Sequence, residues 1–329
     1  MHLQKDTELI NNFLKSNNWI SSDEEVTVLE VPGEGNMNFT LRCKLNSGKS
    51  FILKQSRDFV EKYPQIAAPE QRVLEEARFY DFIKDDAFLR DRTPSVLQLD
   101  RESHIMMMED LGEGSDYTAL YKKDVQLKEN ELEELIAFIA HLHKNFNKQN
   151  CKETITNREM RALNHEHIFV LPFEKDNGLN LDDIMPGLAE VSNLATNNSK
   201  LKEAVKSLGQ QYLEDGAQLL HGDYFPGSWL KTANGIKIID PEFCFFGPAE
   251  FELGVCLAHL YMAEQPKEFI QKAINIYKKD APLNDMLMMK FMAVEMLRRI
   301  LGVAQLPLQL SLNERKALVE RSILIITEY

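Results

Sequence analysis

The stretch LLHGDYFPGSWLKTANGIKIIDPEF, Leu219–Phe243, decides how this chain reads. It sets His221, Gly222 and Asp223 side by side, runs through an apolar segment, turns at Asn234 and Gly235, and ends on Asp240 and Glu242. Asn and Gly tolerate positive φ and apolar residues flank them, so a tight hairpin is expected there. Ser228 and Asp240 are equidistant from Asn234 in the chain, and such a hairpin brings them together. In extended backbone, residues two apart point to one side, which puts the Asp240 and Glu242 carboxylates on a common face. Hard oxygens of that kind with a hydroxyl opposite suit Mg²⁺, which keeps several waters and bridges phosphates. Asp223, on the loop entering the hairpin, is placed to accept a proton from an attacking hydroxyl, and His221 to brace that loop. Each short motif alone is more often structural than chemical; their order around one hairpin is the specific signal.

The rest of the chain limits what this stretch can do. At 329 residues the protein is long enough for two lobes. Its 44% hydrophobic and 27% charged content is that of an ordinary globular protein. Lys plus Arg number 38 against 51 for Asp plus Glu, a formal charge of −13, so the overall field repels nucleic acid and anionic lipid. Cys43, Cys151, Cys244 and Cys256 lack CxxC spacing and indicate neither a zinc site nor a disulfide framework. The opening residues are amphipathic and polar, without the apolar run of a signal peptide or membrane span, so a cytoplasmic location is expected.

Outward from the hairpin, residues 5–17 carry apolar side chains at helical spacing, and 26–55 alternate like antiparallel strands broken by Gly33, Gly35 and the turn at 46–49. A helix is expected over 69–82, where Pro69 marks a start, and strand character returns at 94–111. Beyond Leu111 the pattern is mostly helical: 128–146, about 186–213, 249–263, 266–278, 283–303 and 312–327. The expected architecture is α+β and two-lobed, with a small antiparallel-sheet lobe at 1–110 and a larger, mainly helical lobe at 111–329 that holds the catalytic loop, metal site and substrate pocket.

HGD followed by GS, then DPEF and FGP, resembles the phosphotransferase superfamily of aminoglycoside phosphotransferases, choline kinases and methylthioribose kinases, and the last of these most closely. The resemblance implies a protein-kinase-like fold that uses ATP and Mg²⁺. It assigns Asp223 and His221 to catalysis, and Asp240, Glu242 and Ser228 to the metal, although most of the superfamily has Asn where this chain has Ser228. Gly33, Gly35, Asn36 and Asn38, in GEGNMNF, resemble the loop over the nucleotide phosphates, where missing side chains let backbone amides approach oxygen. Lys54 resembles the strand lysine that contacts the α and β phosphates, with Glu76 as its helix partner and Glu75 the alternative. Met108, Glu109 and Asp110 fit a hinge whose backbone bonds adenine, while Met106–Met108 also read as an ordinary buried strand. Arg298 and Arg299, in RRILGVA, resemble paired arginines directed at the substrate; without that context they read as a solvated helix face. The segment from Asp240 to Arg298 is shorter than the family leads one to expect.

The sequence therefore points to a kinase that phosphorylates a hydroxyl of a sugar-like small molecule, methylthioribose or a relative, with no nucleic-acid or membrane partner and with a homodimer allowed. An amino alcohol or aminoglycoside acceptor is the alternative within the class, although two arginines favour a neutral polyol or an anion over a cation. A nucleotide-binding pseudokinase is supported by Ser228 alone. A metal-dependent hydrolase would leave Lys54 and the glycine loop unexplained.

Overall fold

The structure is a computed structural model that describes residues 2–33, 35 and 37–328. The chain divides into two compact units, Met1–Gly114 with Thr232–Phe243, and Ser115–Lys231 with Cys244–Tyr329.

The first unit is built on a five-stranded antiparallel sheet in the order Val26–Glu30, Phe39–Leu45, Ser50–Gln55, Ile105–Glu109, Val96–Asp100. Alternation decides its faces: Leu41, Cys43 and Leu45 are buried together with Phe51, Leu53, Ile105 and Met107. Onto these packs the helix Thr7–Ser16 through Ile10, Phe13 and Leu14. Asp6 starts that helix by accepting the Leu9 N–H, filling one of the amides left open at a helix N-terminus. The helix Arg72–Ile83 buries Arg72, Glu76, Phe79, Tyr80 and Ile83, residues three and four apart on one face. Met106, Met107 and Met108 are all buried, as a core strand requires.

The second unit is mainly helical: Glu129–Asn145, Arg158–His165, Leu188–Thr196, Ser199–Leu213, Ala249–Met262, Lys267–Asp280, Asp285–Leu301 and Leu312–Glu328. Ala249–Met262 is apolar on nearly every side and runs through the core, where Gly254 lets it approach Asp285–Leu301 closely. A Cβ at Gly254 would sit 2.8 Å from the Met288 carbonyl oxygen and 2.9 Å from the Met292 nitrogen.

Two parts of the helical reading are corrected. The expected helix over about 186–213 is two helices, because Asn198 caps a new one by accepting the Leu201 N–H. The sequence reading places no helix between 146 and 186, yet Arg158–His165 is helical and continues through a π turn at Glu166–Val170. Its eight residues carry only Met160, Ala162 and Leu163 as apolar side chains, too few for a helical pattern to stand out in the sequence. Among the described residues no helix is long and apolar enough to cross a membrane.

Candidate functional site

The side chains singled out by sequence fall into two clusters, one in each unit. The first is centred on Lys54. The strand Ser50–Gln55 lies between two neighbours, so Lys54 is flanked by Thr40 and Met106 and is only 4% exposed. Its Nζ lies 2.6 Å from Glu76 Oε2 and 2.7 Å from Asp240 Oδ1. Glu75, the alternative partner, instead pairs with Arg78 at 3.8 Å. Burial works against the Lys54 charge, but Asp240, Glu76 and Glu242 outweigh it and hold the ammonium above its ordinary value. Burial pushes Glu76 well above the usual carboxylate range, with Lys54 opposing the shift.

The Asp240–Glu242 pair differs from the expectation. Asp240 lies past the end of the strand Gly235–Ile238 with φ +63°, in the left-handed region, so the period-two rule for extended backbone does not apply. Asp240 keeps 49% of its side chain exposed. Glu242 is buried, accepts a hydrogen bond from Asn38 Nδ2 at 2.8 Å and lies 3.6 Å from Arg72 Nε. Burial raises the Glu242 carboxyl, against Lys54 and Arg72. At the turn, Gly235 adopts φ +94° and its carbonyl accepts from the Thr232 hydroxyl at 2.8 Å.

Arg72 was not singled out by sequence. It is fully buried and donates to the carbonyls of Met37, Arg57, Phe59 and Pro69 and to Asn38 Oδ1. It thereby fixes the exit of the glycine segment. An arginine at a helix start gives no signal of this in sequence, because the acceptors are backbone or amide groups and all but Pro69 lie 13 or more residues away in the chain. Gly33 and Gly35 are exposed, and a Cβ at either would meet nothing within 4 Å. Asn36 lies outside the described residues. Met108 and Glu109 pair with Ile52 and Phe51 across the sheet, and the Glu109 N–H donates to the Ser95 carbonyl. The Asp110 carboxylate is clamped by Arg42 through two bonds of 2.9 Å.

The second cluster surrounds Asp223. The strand Gln218–Leu220 delivers the chain to His221, and Gly222 turns it with φ +87°, a conformation that side chains resist. The Gly222 N–H donates to Glu252 Oε1 at 2.8 Å, and Glu252 Oε2 lies 2.8 Å from His143 Nε2. Burial opposes the Glu252 charge, but the bond from His143 and its neighbours hold it below its ordinary value. His221 is fully buried and its Nδ1 accepts the Asp223 N–H at 3.3 Å, so it braces the loop. The Ser228 hydroxyl belongs to this unit and donates to the Asp223 carbonyl at 2.8 Å.

Arg298 and Arg299 come from the last turn of Asp285–Leu301 and are 8% and 6% exposed, so the solvated-face reading fails. Both hold Glu295, one turn earlier: Arg299 Nε at 2.6 Å and Arg298 Nη1 at 3.1 Å. Arg298 also reaches Asn164 Oδ1 at 3.5 Å. Arg299 Nη2 stands 3.7 Å from Asp223 Oδ1, and its guanidinium covers the Phe225 ring at 5.0 Å. Burial raises the Asp223 carboxyl above its ordinary value, against the pull of Arg299 and Arg298, while 23% of the side chain stays exposed. Sequence reasoning missed Glu295, His259 and Tyr121. The spacing of Glu295 three and four residues before the arginines was the available signal.

Three kinds of comparison place this chain among known proteins. The model of the phosphotransferase enzyme family matches residues 30–285, which ends before Arg298 and Arg299. A methylthioribose kinase from Exiguobacterium sibiricum is 28% identical over 266 residues, covering 74% of this chain and 63% of that protein. One from Pectobacterium atrosepticum is 26% identical over 258 residues, covering 74% and 62%. The chain thus spans somewhat less than two thirds of these relatives' length. Among solved structures, the choline kinase LicA from Streptococcus pneumoniae superposes with a TM-score of 0.56 at 14% identity, covering 98% of this chain and 99% of that one. An ADP-bound aminoglycoside phosphotransferase gives 0.52 at 14% identity, with 98% of each chain covered. Similarity at that identity is one of protein-kinase-like fold.

Proposed function

We propose that this chain, which belongs to the phosphotransferase enzyme family, is an ATP- and Mg²⁺-dependent kinase that phosphorylates a hydroxyl of a sugar-like small molecule, methylthioribose or a close relative. The observation that carries the reading is the buried Lys54 held between Glu76 and Asp240. Such a fixed ammonium is suited to nucleotide phosphate oxygens. The backbone of Gly33, Gly35, Asn36 and Asn38 is assigned to the phosphates, and that of Met108–Asp110 to adenine.

Among the described residues no three His, Cys, Asp or Glu side chains form a metal cage. Mg²⁺ takes one or two carboxylates and completes its shell with waters and phosphate oxygens. Asp240, half exposed, is the first candidate to hold it, with Glu242, in the same unit, assisting. When bound there, the ion would neutralise charge on the phosphate oxygens.

Asp223 orients the acceptor hydroxyl and takes its proton; a carboxyl raised by burial is the better base for that step. Around it the charges of Asp223 and Glu295 balance those of Arg298 and Arg299, which leaves no surplus negative charge to draw in a cationic amine. A neutral polyol is the acceptor this balance favours. The second reading, a nucleotide-binding protein without turnover, draws on Ser228, whose hydroxyl proton is committed to the Asp223 carbonyl. The test is ADP release with methylthioribose, simple pentoses, choline and an aminoglycoside, in wild type and Asp223→Asn. Turnover of a sugar that falls at least about a hundredfold in the variant is expected. Nucleotide binding with no turnover on any acceptor, or preference for a cationic one, overturns the assignment.

A further inference from the structure

Behind Arg299 lies a buried chain of polar groups, Tyr121, His259 and Glu295, of which the phosphoryl-transfer reading uses only the charge of Glu295. Glu295 is 1% exposed and His259 fully buried. His259 Nε2 lies 3.1 Å from Glu295 Oε1, and its Nδ1 lies 2.6 Å from the Tyr121 hydroxyl. The environment fixes how these bonds are oriented. Burial, with the two arginines, holds His259 down at about 4, so the imidazole is neutral at pH 7. Burial opposes the Glu295 charge, but Arg298 and Arg299 hold it well below its ordinary value, so Glu295 is an acceptor only. His259 therefore donates from Nε2 to Glu295 and accepts the Tyr121 proton at Nδ1. The line Tyr121, His259, Glu295 ends on Arg299.

Arg299 is held on several sides: Nε on Glu295, Nη1 within 3.4 Å of the Ala304 carbonyl, and its face on Phe225. What remains directed at Asp223 is Nη2 at 3.7 Å, beyond hydrogen-bond range. This is an unusual stand-off. A buried carboxylate beside a guanidinium ordinarily closes to about 2.8 Å, often through two parallel bonds. Such closure at Asp223 would cover an oxygen that a base must offer to the acceptor hydroxyl.

We propose that Glu295 is a positioning residue that holds Arg299 back from Asp223, so that the arginine compensates the aspartate's charge without occupying the oxygen that receives the acceptor's proton. The proposal rests on the kinase reading for that last step, whereas the stand-off itself is a matter of geometry. His259 and Tyr121 steady the carboxylate in turn. Arg298, bonded to the same carboxylate and to Asn164, takes no part in the stand-off.

The experiment is a mutant cycle with Glu295→Gln, Arg299→Gln and the double variant, read by kcat and by the KM for acceptor and nucleotide separately. Gln keeps the shape, and its Oε1 can still accept from His259 and from Arg299 Nε, but without the negative charge it ties the guanidinium more weakly. In Glu295→Gln, kcat is expected to fall about tenfold or more with nucleotide KM within about twofold of wild type, since only the acceptor step is touched. The double variant should be no slower than Arg299→Gln alone, because without the arginine there is nothing to hold back. Losses that multiply overturn the proposal, as does unchanged kcat in Glu295→Gln. A crystal structure of Glu295→Gln gives a readout that does not depend on turnover: Arg299 Nη2 should close on Asp223 to hydrogen-bond distance. If wild type phosphorylates nothing yet this closure occurs, the kinase reading fails and the stand-off stands; if the distance stays near 3.7 Å, the stand-off fails. Should Glu295→Gln not fold, Glu295→Asp keeps the charge and withdraws it by one methylene, and the same closure is expected.

Discussion

His259 provides a prediction whose size follows from the structure. Its imidazole is fully buried in unit two among Tyr121, Glu295, Arg298, Arg299 and the Phe225 ring. The folded value is lowered from 6.5 to about 4, with burial the largest cause. Between those values the unfolded chain binds a proton at this position that the folded chain refuses. Stability therefore falls as pH falls through that window. The full shift amounts to about 3 kcal/mol, and the part expressed between pH 7 and pH 5.5 is about 1 kcal/mol. Glu76, Asp223 and Glu242, whose values are raised, contribute with the opposite sign. A difference measurement removes most of their effect. His259→Gln is the right comparison, since an amide can still donate to Glu295 and accept from Tyr121 but does not titrate. Urea unfolding of both proteins at several pH values should show wild type losing about 1 kcal/mol more than the variant between pH 7 and 5.5. Parallel pH dependences would refute the claim that this imidazole is buried neutral.

Asp240→Ala should abolish turnover and weaken Mg²⁺–nucleotide binding by at least about tenfold in calorimetry, as removal of the main carboxylate ligand demands; unchanged Mg²⁺ dependence sinks its metal role. Lys54→Met should raise nucleotide KM and, by leaving Glu76 buried without its partner, lower stability by about 3 kcal/mol at neutral pH, less if Glu76 takes up a proton. Gly254→Ala gains helix propensity of about 1 kcal/mol, yet its Cβ meets backbone at 2.8 Å, so a net loss of about 1–3 kcal/mol is expected in thermal unfolding.

What the sequence determined by itself is local in origin. Alternation in 26–55 specified antiparallel strands, because pleating puts every second side chain in the core, and the continuous apolar run Ile105–Met108 specified a strand buried on both faces. Helical spacing specified most of the helices, and the HGD and DPEF motifs singled out Asp223 and Asp240 as candidates. Where local rules were extended too far they failed. Asp240 takes a left-handed conformation that Asp tolerates but no pattern announces, and two adjacent Asn residues conceal a helix break at 197–198.

Only the tertiary structure decided which partner each charged side chain keeps. Glu76 rather than Glu75 faces Lys54, Glu242 is tied to Asn38 and Arg72, and Arg42 rather than solvent takes Asp110. The same holds for Arg298 and Arg299, adjacent in sequence yet unequal in the fold: one is bound to Asn164, the other aimed at Asp223, with Glu295 between them. Adjacent residues on a helix diverge by about 100°, so their surroundings are set by whichever elements pack there. In a buried site a charge must find a compensating group or a bond. That group comes from distant parts of the chain, which is why folding, and no pattern of neighbours in sequence, assigned it.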